Sequence, residues 1–258
     1  MENLFDMGGQ FAVITGASSG LGRDMAVAFA KAGVNVALLA RRKEKLEALA
    51  EELKALDVQA LPISCDVSDD DSVKQAIEEV RQQFPRIDIL INNAGVAVRG
   101  TVDTITDEDW DRSFDVNVKG ILHTGRYVVP VMKEQGYGRI VNISSVNAII
   151  SDKNDPFLRH SYNASKASVW GLTRAMAASY AKEGIAVNAI GPGLFASEMT
   201  EDTLMASQDF MNYYNHVTPA SRSGEKGELN GAVLFLSSPA AAYVQGNMIF
   251  VDGGIRLV

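Results

Sequence analysis

The stretch TGASSGLG, residues 15–22, follows the apolar run FAVIT (11–15) and leads into the amphipathic stretch LGRDMAVAFAKAG (21–33). Its three glycines fall where a strand must turn sharply into a helix. Gly16 suits the tight turn, Gly20 allows close backbone approach by a ligand, and Gly22 lets the helix pack near the sheet. The first turn of such a helix leaves backbone N–H groups unpaired, and these can face a pyrophosphate. The spacing G-x-x-x-G-x-G differs from the commoner G-x-G-x-x-G. Its place, after a first strand, makes it a phosphate-binding βα turn.

The same alternation continues outward from this turn. VNVALLA (34–40), VQALPIS (58–64), IDILIN (87–92), GRIVNIS (138–144), IAVNAI (185–190) and NMIFVD (247–252) read as six further strands, separated by helical patterns. Ser68 with Asp71, and Thr106 with Asp109, form capping boxes, the second opening a helical stretch toward Met132. Continuous apolar strands alternating with helices predict a parallel sheet covered on both faces. The fold class is therefore α/β, a Rossmann-type doubly wound sheet of seven parallel strands. No linker or repeat divides the chain, so residues 1–258 read as one domain.

Lys and Arg number 24 against 32 Asp and Glu, a net charge of −8 without a basic block. Such a chain repels a nucleic-acid backbone. No apolar run approaches the ~18 residues of a membrane span, and MENLFDMGGQ (1–10) lacks the basic and apolar regions of a signal peptide. Cys65 is the only cysteine, and His123, His160 and His216 lack metal-ligand spacing. A cytoplasmic protein without membrane, nucleic acid or metal is expected.

In open α/β sheets ligands bind beyond the carboxyl ends of the strands. An NAD site usually has Asp or Glu at the second strand end, about 20 residues past the glycines. Here that end reads Ala40-Arg41-Arg42. Two guanidinium groups and no carboxylate suit a 2′-phosphate, so NADP(H) is preferred, with NAD(H) as the other option. Ser18 or Ser19 can add a hydroxyl. Farther on, SYNASKASVW (161–170) puts Tyr162 and Lys166 one helical turn apart on one face. Taken alone, the pair reads first as a core tyrosine beside a solvated lysine, and only the rest of the chain can make it an acid–base couple.

TGASSGLG (15–22), DV (66–67), NNAG (92–95), NVKG (117–120), NISS (142–145), YNASK (162–166), GPG (191–193) and VDGG (251–254), in this order, resemble the short-chain dehydrogenase/reductase family across the whole chain. GPGLFASEMT (191–200) and the start MENLFD look most like gluconate 5-dehydrogenase-type members. The resemblance implies an oxidoreductase that interconverts a ketone and a secondary alcohol by hydride transfer. Asn117, Ser145, Tyr162 and Lys166 would be its catalytic set. Tyr162 would be the acid/base, its pKa lowered from about 10 by Lys166. Ser145 would hold the substrate oxygen, and Asn117 a water relaying protons from Lys166. Cofactor contacts would come from Gly16, Ser18, Ser19, Gly20, Leu21, Gly22, Arg41 and Arg42 at the adenosine end. Asp66, Val67, Asn92, Asn93, Ala94 and Gly95 would line the adenosine, and Pro192, Gly193 and Ser197 the nicotinamide, together with Tyr162 and Lys166. The resemblance also implies a homo-oligomer, tetramer before dimer, built on the helices after the fourth and fifth strands and the last strand, with Val169, Trp170 and Met176 on its faces. A nucleotide-sensing module without chemistry would be expected to lack Ser145, Tyr162 or Lys166, and all three are present.

Ser145 and Tyr162 lie 17 positions apart, wider than the usual gap, and the extra length falls in the polar SDKNDPFLRH (151–160). Arg159 and His160 there are candidate substrate contacts. A second substrate-shaping segment, about 194–217, carries Phe195, Met199, Met205, Phe210, Met211, Tyr213 and Tyr214, four carboxylates, and no Lys or Arg. It reads as an apolar lid. Arg99, after the fourth strand, would offset its negative charge for a sugar acid. A polyol or sugar acid is the expected substrate, with 3-oxoacyl thioesters and hydroxysteroids as alternatives.

Overall fold

Phe11–Thr15 forms β1 inside the sheet, in register with β2 (Asn35–Ala40) through Val13 opposite Ala37, and with β4 (Ile89–Asn92) through Val13 opposite Leu90. The computed structural model describes residues 3–153, 157–198, 200 and 204–258. With β3 (Ala60–Ser64), β5 (Gly138–Ile143), β6 (Ile185–Pro192) and β7 (Met248–Val251), the order is β3-β2-β1-β4-β5-β6-β7, every pairing parallel. The predicted seven-stranded, doubly wound sheet is the one observed.

Strand alternation sends successive side chains to opposite cores. Ala12, Ile14, Val36 and Leu38 pack under α1 (Gly20–Lys31), α2 (Lys43–Leu53) and α8 (Asn230–Ser237). Val13, Ala37, Leu39 and Leu90 pack under α3 (Asp70–Gln83), α5 (Gly120–Gln135) and α6 (His160–Tyr180). Val169 and Met176 belong to this second core, so they are not available as oligomer contacts. Their position on α6 faces the sheet.

Two local readings change. The cap of α3 is Asp69, whose carboxylate accepts from the N–H groups of Asp71 and Ser72, while Ser68 donates to Asp66 instead. Thr106 does cap α4 (Asp107–Phe114), but the long helix beyond it is interrupted. A π-helical turn, Asp115–Lys119, separates α4 from α5 and contains Asn117. Such insertions re-aim side chains and gather at functional sites.

Gly100 bridges to Arg159, which tethers the 157–159 stretch to the loop after β4. α7 (Gln208–Val217) carries Phe210 into a small third core with Leu194, Leu204 and Phe157. Met199 lies outside the described residues.

Candidate active site

The chain crosses from β3 back past β1 to β4, so a crevice opens between the carboxyl ends of β1 and β4. Gly16 and Gly20 there hold φ angles of +68° and +52°, conformations that glycine alone adopts freely. A methyl on Gly22 would stand 2.2 Å from the Gly16 carbonyl oxygen. Asn93 and Ala94 brace the turn: their N–H groups donate to Thr15 Oγ1 at 3.0 and 3.1 Å, and Asn93 Nδ2 donates to the Thr15 and Gly16 carbonyls at 3.0 and 3.3 Å. Asn92 is drawn inward, accepting from Thr124 and donating to Asn142, itself bonded to Thr173. Its side chain therefore ties helices to the sheet rather than lining the crevice.

Leu21 packs against the core, and buried Val67 gives its carbonyl to His123 Nδ1 at 2.8 Å. Asp66 Oδ1 accepts from Ser68 N and Oγ, as a turn residue before α3 would. Burial pushes the neighbouring Cys65 thiol up to about 11, leaving an unreactive core residue. Pro192 ends β6, and the Gly193 N–H donates to the Val251 carbonyl. Ser197 crosses the glycine turn, its Cβ lying 3.0 Å from where a methyl on Gly20 would be.

At the end of β2 the two arginines part. Arg41 is exposed and makes no ion pair among the described residues. Arg42 Nη2 reaches Ser18 Oγ at 3.0 Å and Ser19 Oγ at 3.1 Å. The expected Arg42 and a residue the sequence did not point to, Lys45, both hold the carboxylate of Glu198, at 2.7 and 2.6 Å. Lys45 sits one turn into α2, where i+3 spacing from Arg42 was the available signal.

Tyr162, Ser165 and Lys166 are buried on the sheet-facing side of α6. Lys166 Nζ donates to the Ile143 carbonyl at 2.9 Å and lies 5.7 Å from the centroid of the Tyr162 ring. Loss of water lowers its pKa to about 8. A methyl on Gly95 would meet Nζ at 3.4 Å and Asn117 Oδ1 at 3.1 Å, so that glycine keeps the crevice floor open. Ser145 caps the turn after β5, its Oγ accepting from Asn147 N at 3.1 Å. Burial pushes the Tyr162 phenol up, opposed by the Ser145 hydroxyl and by the charge of Arg159. Lys166 Nζ is itself turned to a main-chain carbonyl. The Asn117 side-chain amide is engaged on its own side of the crevice, Oδ1 accepting from Val96 N at 2.8 Å and Nδ2 donating to Val96 O and Ser165 Oγ.

Ser145 and Tyr162 open into a cavity of about 1020 Å³. Phe157, Phe210, Tyr213 and Tyr214 supply apolar wall, Asp152, Lys153, Arg159 and Asp209 supply charge, and Ile255 and Val258 of the C-terminus close one side. Arg159 pairs with Asp152 at 2.9 Å, and its Cζ stands 5.3 Å from the Tyr162 ring centroid. None of the other three expected substrate residues lines this cavity. Arg99 is exposed elsewhere, and exposed His160 turns Nδ1 to the Val102 N–H at 3.1 Å. Phe195 is buried in the main core beside Gly224. His160 and Arg159 point apart because α6 begins between them while Arg159 pairs with Gly100. The approach of the C-terminus had no signal in the sequence.

The family model for short chain dehydrogenase matches residues 10–207. The chain is a short-chain dehydrogenase/reductase. This short-chain dehydrogenase/reductase is 38% identical to gluconate 5-dehydrogenase of Gluconobacter oxydans over 99% of its own length and 98% of that protein. It is 37% identical to a 3-oxoacyl-[acyl-carrier-protein] reductase of Staphylococcus epidermidis, over 95% and 98% of the two chains. A crystal structure of a gluconate 5-dehydrogenase from Burkholderia cenocepacia, in complex with NADP and tartrate, superposes with a TM-score of 0.93 at 34% identity, covering 99% of this chain and 98% of that one. It is accordingly a nicotinamide-dependent oxidoreductase acting on CH–OH groups. The residues present fit such a cofactor: the glycines leave room for a dinucleotide backbone, and Ser19, Arg42 and Lys45 already grip an anionic carboxylate, with Ser18 Oγ on the same guanidinium. Among the described residues, no helix is long and apolar enough to cross a membrane.

Proposed function

We propose that this enzyme is an NADP(H)-dependent oxidoreductase of the cytoplasm that interconverts a keto and a secondary-alcohol group on a sugar acid or polyol. The observation that carries the substrate class is Arg159, a guanidinium held inside the cavity within 5.3 Å of the Tyr162 ring centroid. A carboxylate on the substrate can exchange with Asp152 for this cation and fix the reacting carbon over the phenol. The gluconate dehydrogenase relatives support the same class.

Bound nicotinamide supplies or accepts the hydride. Gly16, Gly20, Gly22, Ala94 and Gly95 would hold its phosphates and ribose, and Arg42, Ser18, Ser19 and Lys45 the 2′-phosphate. In reduction, the Tyr162 O–H gives its proton to the substrate oxygen as negative charge develops there. Ser145 Oγ donates a hydrogen bond to the same oxygen. Lys166 holds a proton beside the tyrosine and, with a pKa of about 8, can return one to the phenolate at neutral pH. The apolar wall of Phe157, Phe210 and Tyr213 also suits a 3-oxoacyl thioester, the second reading, which the 37% identical reductase supports.

A panel of sugar acids, polyols, 3-oxoacyl thioesters and uncharged ketones, followed by NADPH absorbance, tests both. Sugar acids should lead, and Arg159→Ala should raise KM at least tenfold for acids while leaving uncharged ketones within about twofold. Tyr162→Phe should leave under a tenth of the rate on every substrate, a loss above about 1.4 kcal/mol. Leading activity on thioesters would replace the sugar-acid reading. A rate in Tyr162→Phe near wild type would remove this tyrosine as proton donor.

A further inference from the structure

Glu198 comes from the segment after β6, 156 positions beyond Arg42 in the chain, yet its carboxylate lies in the cradle at the end of β2. Oε2 accepts from Arg42 Nη2 at 2.7 Å and from Ser19 Oγ at 3.0 Å, and Oε1 accepts from Lys45 Nζ at 2.6 Å and Arg42 Nη1 at 3.1 Å. Both oxygens are thus engaged by a bidentate guanidinium, an ammonium and a hydroxyl, and Ser18 Oγ meets the same guanidinium. That donor set is what a phosphate monoester requires. Among the described residues, Glu44 is the further acidic group whose field reaches Arg42. Together the partners hold the Glu198 carboxyl at about 2, so it is charged throughout the working pH range.

We propose that Glu198 is a specificity-determining residue that occupies the 2′-phosphate cradle and competes with NADP(H) for it. The proposal rests on the NADP(H) reading above. A 2′-phosphate cannot share Arg42 and Lys45 with an adjacent carboxylate without like-charge repulsion, so the phosphorylated cofactor must displace Glu198. NAD(H) carries no phosphate and leaves these contacts in place. Glu198 therefore narrows the preference for NADP(H) that Arg42, Lys45 and the two serines would otherwise create. Its side chain is 46% exposed, so water and salt screen the pairs and displacement stays within reach of a cofactor's binding energy.

The test is equilibrium binding, without turnover. NADPH, NADH and adenosine 2′,5′-bisphosphate are titrated calorimetrically into wild type, Glu198→Gln, Glu198→Ala and Arg42→Ala at low and high salt. Both Glu198 variants should bind NADPH and the bisphosphate about three- to tenfold more tightly, with the NADH dissociation constant within twofold of wild type. The gain should shrink as salt rises. Arg42→Ala should weaken the two phosphorylated ligands alone. Unchanged or weaker NADPH binding in both Glu198 variants, or equal tightening of NADH, overturns the role of Glu198 while leaving the cofactor reading intact. Wild type that binds NADH as tightly as NADPH, with no response to Arg42→Ala, overturns the cofactor reading itself.

Discussion

Lys166 shows at the scale of one residue how function and stability oppose each other. The side chain is 4% exposed and makes one hydrogen bond, to the Ile143 carbonyl. Burial lowers its pKa from 10.5 to about 8. Between these values the unfolded chain binds more protons than the folded one, so stability rises with pH across that window. Below about 8 both states are charged, and the full penalty of a buried ammonium stands. Lys166→Met, similar in length and uncharged, removes a penalty on the order of 3 kcal/mol, offset by about 1 kcal/mol for the lost hydrogen bond. The cofactor-free variant should therefore melt higher than wild type at pH 7, the difference shrinking toward pH 10, while turnover is lost. Thermal melts across pH 6.5–10 measure this. A variant that melts lower at every pH would show that Lys166 is a structural residue whose burial costs nothing.

At the scale of elements, the contact between the β1–α1 turn and the loop after β4 decides whether a dinucleotide fits. Gly22 is its tightest point: an added methyl would lie 2.2 Å from the Gly16 oxygen and 2.5 Å from Asn93 Nδ2. Backbone must move to admit it, and overpacking of this kind costs roughly 1–3 kcal/mol. Gly22→Ala should therefore melt lower and bind NADPH at least tenfold more weakly. Gly231→Ala is the control, because no atom lies within 4 Å of its added methyl. It should be neutral or slightly stabilising, since alanine is the better helix former. Equal behaviour of the two variants in melting and NADPH titration would remove close packing as the reason for glycine at position 22. The spacing of these glycines was legible in the sequence. Their brace, Asn93, and the π-helical turn that aims Asn117 at Val96 were not, because both depend on contacts between residues far apart in the chain.

For the whole molecule, the surface leaves apolar side chains uncovered. Leu122 on α5 is 49% exposed, and Leu257 and Val258 at the C-terminus are 69% and 78% exposed. β7 pairs only with β6 and so leaves one sheet edge open. Exposed apolar area of this sort marks contact surfaces, and an open edge is a liability that association can cover. A closed homo-oligomer with two-fold contacts, a tetramer before a dimer, is the expected assembly. Sedimentation at micromolar concentration should give a mass of at least twice 27.8 kDa; a monomer there would remove oligomerisation as the fate of these surfaces.

The sequence by itself determined the doubly wound sheet, since strand–helix periodicity is a local property of the chain, and its resemblance to the family singled out Ser145, Tyr162 and Lys166. Only the tertiary structure decided that Arg42 and Lys45 rather than Arg41 form the anion cradle, that Glu198 sits in it, and that Arg159 rather than His160, Arg99 or Phe195 reaches the cavity. Adjacent residues such as Arg41 and Arg42, or Arg159 and His160, share a composition and a position in the chain. Their side chains leave the backbone in different directions where a helix begins, and the partner that distinguishes them arrives from a distant segment. That partner is fixed by packing of the two cores, which no local pattern encodes.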